Sequence, residues 1–240
     1  MHLLSAHGVL DLWERVASCA PSDRGLAILG TASPDAEPET WTIGECEEKL
    51  LALHEALFGS QLSGFAECPR CGEALELDVS IPDLRAAVHT TTETDTLEYR
   101  EYVLHYRLLT SADLVDAGAC ASLPEARQLL LERAVVSVAR RGRTVGIGRL
   151  PLGLIERLAE RLAAGDPWAE SLLALQCPAC RHEWTVLLDT AVFVWTALRS
   201  RAQRLVHDVH TLARAYGWRE ADILDMSSRR REAYLELVGA

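Results

Sequence analysis

Four cysteines carry the most specific chemistry in this sequence. They form two CPxC pairs far apart in the chain, Cys68-Pro69-Arg70-Cys71 and Cys177-Pro178-Ala179-Cys180. Thiolates are soft ligands that suit zinc, and four of them complete a tetrahedron with no open coordination position. A closed site of that kind staples a fold and leaves no position for a substrate, so the pattern points to one structural zinc ion and away from catalysis. Two other readings fit the same residues. A redox-active CxxC pair stands alone at a strand-to-helix start on a βαβ background, and neither pair here has that setting. A cluster that has lost its metal survives as packing, since free cysteine behaves as a small hydrophobe. His182, two residues beyond Cys180, is either a substitute ligand or a neighbour on the knuckle turn. Cys19, Cys46 and Cys120 have no partner at ligand spacing and are expected to be buried residues of helical or apolar segments. The total of seven cysteines is odd. Unpaired thiols fit a reducing compartment, here the bacterial cytoplasm.

Each knuckle leads into strand-forming residues. Ala74-Leu75-Glu76-Leu77-Asp78-Val79-Ser80-Ile81 alternates apolar and polar side chains after the first, and Trp184-Thr185-Val186-Leu187-Leu188-Asp189 follows the second. The pairs are therefore expected to be the halves of one zinc ribbon, split by a long excursion of the chain. Within it, His89 to Thr96 reads as a threonine-rich polar linker at a hairpin tip, and Tyr99 to Leu109 as a strand. Thr110-Ser111-Ala112-Asp113 is a helix-capping signature. It opens a helical stretch, Leu114 to Leu162, broken near Gly118 and at Arg140-Arg141-Gly142-Arg143. That basic loop reads as a solvated turn, and Pro151 starts the next helix. Upstream, amphipathic patterns over 3–19 (with Leu3 and Leu4), 24–31 and 44–58 predict helices. Downstream, helix is expected from Asp189 to Tyr216-Gly217-Trp218, then over 220–224 and 229–238. The predicted class is α+β: a split zinc ribbon of short antiparallel strands with a helical insertion and helical N- and C-terminal arms. The expected regions are 1–66 (helical), 67–109 (first ribbon half and following strand), 110–170 (helical insertion), 171–190 (second ribbon half) and 191–240 (helical C-terminal arm).

Composition narrows the function. The chain has 240 residues, of which 49% are hydrophobic, enough to bury a core. A net charge of −11 opposes non-specific nucleic-acid binding. No apolar run approaches the roughly 20 residues that span a bilayer, and Asp11, Glu14 and Arg15 interrupt the first apolar stretch, unlike a signal peptide. There is no phosphate loop, GxSxG elbow or HExxH pair, so no catalytic residue is assigned and no small-molecule substrate is expected. Gly146-Ile147-Gly148 lacks a third glycine. His207 and His210 lie one turn apart on the tail helix and are expected to be ordinary core or surface residues. Arg229-Arg230-Arg231, after a serine turn, fits a DNA-reading helix and gives the alternative function, a zinc-ribbon transcription or nucleic-acid-binding factor. Glu220, Asp222, Asp225, Glu232 and Glu236 dilute that charge. The preferred reading of the tail is a docking arm whose Trp218, Ile223, Leu224, Tyr234 and Leu237 face a partner.

Several motifs together resemble a known family. They are the helical N-terminus, the CPxCG knuckle at Cys68, Leu108-Leu109-Thr110-Ser111-Ala112-Asp113-Leu114, the second CPxC knuckle with Trp184 nearby, and the tail from Tyr216-Gly217-Trp218 through Leu237. The chain resembles zinc-ribbon proteins encoded in contractile tail and extracellular contractile injection system clusters, distantly similar to the T-even phage baseplate hub assembly proteins. Where that pattern has proline before the threonine, this chain has Leu109. The resemblance implies a non-enzymatic structural or assembly protein that contacts other baseplate or tail proteins, with Cys68, Cys71, Cys177 and Cys180 as zinc ligands. Charge and hydropathy add the expectation of no nucleic-acid or membrane partner, and the expected location is the bacterial cytoplasm or an assembled phage-tail-like particle.

Overall fold

A computed structural model describes residues 5–87 and 95–239. Leu3, Leu4 and most of the threonine-rich linker lie outside the described residues. The chain is α+β, with helices and three small antiparallel sheets. In chain order, helices α1 (Ala6–Ala17), α2 (Arg24–Ala32) and α3 (Ile43–Phe58) lead into a hairpin, β1 (Gln61–Glu67) with β2 (Ala74–Ser80). After α4 (Ile81–Ala87) come β3 (Thr96–Tyr99), β4 (Tyr102–Tyr106), α5 (Ser111–Gly118), α6 (Leu123–Ala134), β5 (Val135–Arg140), β6 (Arg143–Thr144) and α7 (Leu152–Gly165). A second hairpin, β7 (Leu172–Gln176) with β8 (Glu183–Leu187), precedes the long α8 (Thr190–Tyr216), α9 (Glu220–Leu224) and α10 (Ser228–Gly239).

The helix starts obey their caps. The Ser5 side chain accepts the Gly8 N–H at 3.0 Å, and Asp189 accepts the Val192 N–H at 3.0 Å. Thr42 with Glu45, and Thr110 with Asp113, form reciprocal capping boxes. Gly217, at φ +70°, ends α8 in the left-handed conformation.

Three cores hold these elements. The first joins α1, α2, α3 and α8 through Leu10, Val16, Ile28, Leu50, Val194 and Leu198. The second packs β3, β4 and β5 on α7 through Leu97, Leu104, Val138, Leu154 and Leu158. The third joins α3 to both hairpins through Leu51, Leu62, Ile81, Trp168 and Leu188, with Leu173 and Phe193 against it. A side chain on Gly64 would meet the Phe193 ring at 2.8 Å, so the glycine lets α8 lie close to β1.

The Thr110 segment clasps the first two regions together. Ile43 donates to the Leu109 carbonyl at 3.3 Å, and Ser111 to the Trp41 carbonyl at 3.0 Å. Arg107 binds both oxygens of buried Asp113 at 2.7 and 2.9 Å. That guanidinium holds the Asp113 carboxyl at about 2, against the opposing effect of burial and with help from Thr110. The segment from Arg107 to Asp113 thus has an architectural task here.

The structure corrects several expectations. Val135 to Arg140 is a strand and not part of a helical stretch. Its β-branched Val135, Val136 and Val138 suit a pleated surface, and it pairs with β4, placing Val138 opposite Leu104. Arg141-Gly142 is then the turn from β5 to β6. The strand expected over Tyr99 to Leu109 is two strands joined at Arg100-Glu101. Cys46 is buried as expected, but Cys19 and Cys120 are only half-buried, near the C-terminal ends of α1 and α5.

The C-terminal arm differs most. Ile223 is 0% exposed and Leu224 5%, with Leu224 in the core formed by α1 and α8. The arm therefore docks on its own chain, because α8 presents apolar side chains beyond the reach of α1–α3. Trp218 and Tyr234 pack on each other at 4.8 Å. Leu237, 68% exposed, alone among the five expected anchors remains largely open.

Candidate metal centre

Each CPxC sequence forms the turn of one hairpin, β1–β2 or β7–β8, and the two turns repeat the same backbone pattern. Cys68 donates to the Glu73 carbonyl at 2.9 Å, and Gly72 donates to the Cys68 carbonyl at 2.9 Å. Likewise Cys177 donates to the His182 carbonyl at 2.9 Å, and Arg181 to the Cys177 carbonyl at 2.9 Å. Proline after the first cysteine presets its φ for a turn. The residue after the second cysteine must then turn left-handed: Gly72 has φ +76° and Arg181 φ +59°. Glycine adopts that conformation freely, whereas an L side chain costs roughly 1–2 kcal/mol. Arg181→Gly is therefore expected to raise stability by up to about 1 kcal/mol, and Gly72→Ala to lower it by about as much. Chemical denaturation of the two variants checks both signs.

The turns bring all four cysteines together. The Sγ atoms lie within 4.8 Å of one another. Cys68 and Cys180 approach to 3.7 Å, and Cys71 and Cys177 to 3.6 Å. A tetrahedron with metal–sulfur bonds of about 2.3 Å has sulfur–sulfur edges of about 3.8 Å, so two edges already have that length. The close pairs run between hairpins, not within them. Cys68 and Cys177 are buried, Cys180 is half-buried and Cys71 is exposed.

The local electrostatics favour a first thiolate and resist the last. Burial raises the Cys68 thiol, but the N–H groups of Arg70 and Cys71 and the thiols of Cys71 and Cys180 outweigh it and bring it down to about 7. At Cys71 the Glu73 backbone favours the thiolate, yet hydrogen bonding with Cys180, burial, and contacts with Cys177 and Cys68 push it up to about 12. A divalent cation among the sulfurs reverses that resistance, since a coordinating thiol loses its proton outright. The four cysteines can hold one metal ion in a closed site.

The ring of His182 stacks on Trp184 with centroids 5.9 Å apart and planes at 9°. It contributes its carbonyl to the turn and is not among the clustered ligand atoms. His207 and His210 are exposed on α8. Among the described residues, no other set of three His, Cys, Asp or Glu gathers its ligand atoms this closely. The arginine triplet separates: Arg229 and Arg230 are exposed, whereas Arg231 is 3% exposed and its Nε donates to Asp208 at 3.2 Å. Arg231 is thus not available to a phosphate backbone as the DNA-reading alternative requires. Strand β1, ahead of the first knuckle, escaped the sequence reading; its Gly64 and small residues weaken the alternating pattern.

In comparisons with known proteins, no family model, no curated protein and no solved structure matches this chain. Among the described residues, no helix is long and apolar enough to cross a membrane.

Proposed function

We propose that the chain is a non-enzymatic structural or assembly protein, in which one zinc ion bound by Cys68, Cys71, Cys177 and Cys180 closes a split zinc ribbon. The observation that carries this reading is the meeting of four cysteines from two separate hairpins at tetrahedral spacing. A four-thiolate site has no position left for a substrate or activated water, which is the signature of a structural ion. Working contacts are then protein–protein. Phe65, Leu172 and Leu187, which are 78%, 54% and 60% exposed, give the hairpins apolar outer faces suited to such contacts.

The setting we propose, from the sequence resemblance, is the baseplate of a contractile injection system or phage-tail-like particle. Deleting the gene from a producing cell and purifying particles tests it. The expected result is failure to form complete particles, restored by the native chain and not by Cys177→Ser. Normal particle yield without the protein would sink the assembly role.

A further inference from the structure

Helices α6 and α7 leave an apolar groove open between them. Leu123, Leu130 and Leu131 of α6 and Leu152, Ile155 and Leu162 of α7 line its volume of about 610 Å³. The cause lies in α6. Of its 12 residues only Ala134 is buried, and the consecutive Leu129, Leu130 and Leu131 are half-buried. Leu123 and Leu152, each at the first position of its helix, are 87% and 75% exposed. Uncovered apolar side chains on two neighbouring helices mark a contact surface, and a groove of this kind suits a third helix.

The charge of the lining selects the occupant. Its polar members are Arg127 and Gln128, and it contains no carboxylate. Gln128 donates to Glu132 at 2.7 Å. Arg127 is exposed, and among the described residues no carboxylate pairs with it. A complementary surface is therefore apolar with a carboxylate beside it. The same groove on a second copy fails that condition, because it would set guanidinium against guanidinium. The outer face of α10 meets it. Ala233 and Leu237 are exposed one turn apart on that helix, and so are Glu232 and Glu236. Leu237 is 68% exposed and Val238 38%. The inner side of α10 is already engaged, with Arg231 on Asp208 and Tyr234 on Trp218. Arg229 and Arg230 stand at the opposite end of the helix from Leu237.

We propose that α10 of a second copy of this chain docks in the α6–α7 groove, with Leu237 and Val238 among the leucines and Glu236 on Arg127. The contact joins two different surfaces, so it is head-to-tail, and repeating it builds a ring or an open chain of copies. It uses neither the cysteines nor the hairpins, so it stands or falls separately from the proposed zinc and assembly role.

Sedimentation velocity of the full chain over a range of concentrations tests this. The native chain is expected to form oligomers that grow with concentration. Leu152→Glu spoils the groove and Leu237→Glu spoils the tip. Both positions are exposed, and a carboxylate at the first turn of α7 suits the helix dipole, so both variants are expected to fold normally and to stay monomeric. Mixed together they retain one intact groove and one intact tip, and are expected to give a heterodimer and nothing larger. Arg127→Glu is expected to weaken association about tenfold, with recovery on adding Glu236→Arg. Phe65→Ser, at an exposed aromatic opposite Glu76 on the first hairpin, is expected to change nothing. A native chain that is monomeric at every concentration, variants that associate like it, or a mixture of the two glutamate variants that remains monomeric would each overturn the proposal.

Discussion

Replacing Cys177 with serine is expected to lower the melting temperature by about 10 °C or more while leaving most of the helical signal intact. The size follows from the topology. The β1–β2 and β7–β8 hairpins are separate two-stranded sheets with no strand pairing between them. An isolated hairpin is marginally stable in water. The close sulfur pairs, Cys68 with Cys180 and Cys71 with Cys177, each reach from one hairpin to the other, so the proposed zinc is their direct link. Structural zinc contributes folding free energy on the order of 10 kcal/mol in small domains. Here Leu62, Ile81, Trp168 and Leu188 also hold the hairpins, so only part of that is lost on removing one ligand. A loss of about 4 kcal/mol corresponds to about 10 °C for a chain of this size. The core of α1, α2, α3 and α8 does not use the site, which is why helicity persists. Chelation of the native protein should reproduce the variant's melting curve. Superimposable curves for native, chelated and variant protein would remove the metal from the account of stability.

The second large effect concerns the arm. Ile223→Ala is expected to cost about 3 kcal/mol, because Ile223 is 0% exposed and truncation of such a residue leaves a cavity. In melting experiments this is a fall of about 6–12 °C. Removing residues 217–240 should go further. It strips Leu224 from the shared core and leaves α8 side chains such as Leu205 and Leu212, now buried, open to water. Both variants should keep the proposed zinc, since the hairpins rest on a different core. An Ile223→Ala protein that melts like the native chain would show that the arm is held elsewhere, as in the partner-facing arrangement read from the sequence.

The residues that meet at the site were legible because ligand chemistry is local: cysteine spacing, the proline that presets the turn, and alternation in the following strand all lie within a few positions. The helix start at Thr110 was legible for the same reason, since its cap bonds a backbone group three residues on. What was hidden depends on distant partners. Val135 to Arg140 becomes a strand because β4 lies beside it. The direction in which Ile223 and Leu224 face is decided by the apolar side of α8. Arg231 in sequence is one of three solvated-looking arginines, and only the fold places it beside Asp208.

The most direct measurement of the central claim is X-ray absorption at the zinc edge of the purified native protein, with elemental analysis of the same sample. One zinc per chain is expected, with four sulfur neighbours at about 2.3 Å and no nitrogen or oxygen neighbour. A protein without zinc, or a shell in which an imidazole nitrogen at about 2.0 Å replaces a sulfur, would contradict it.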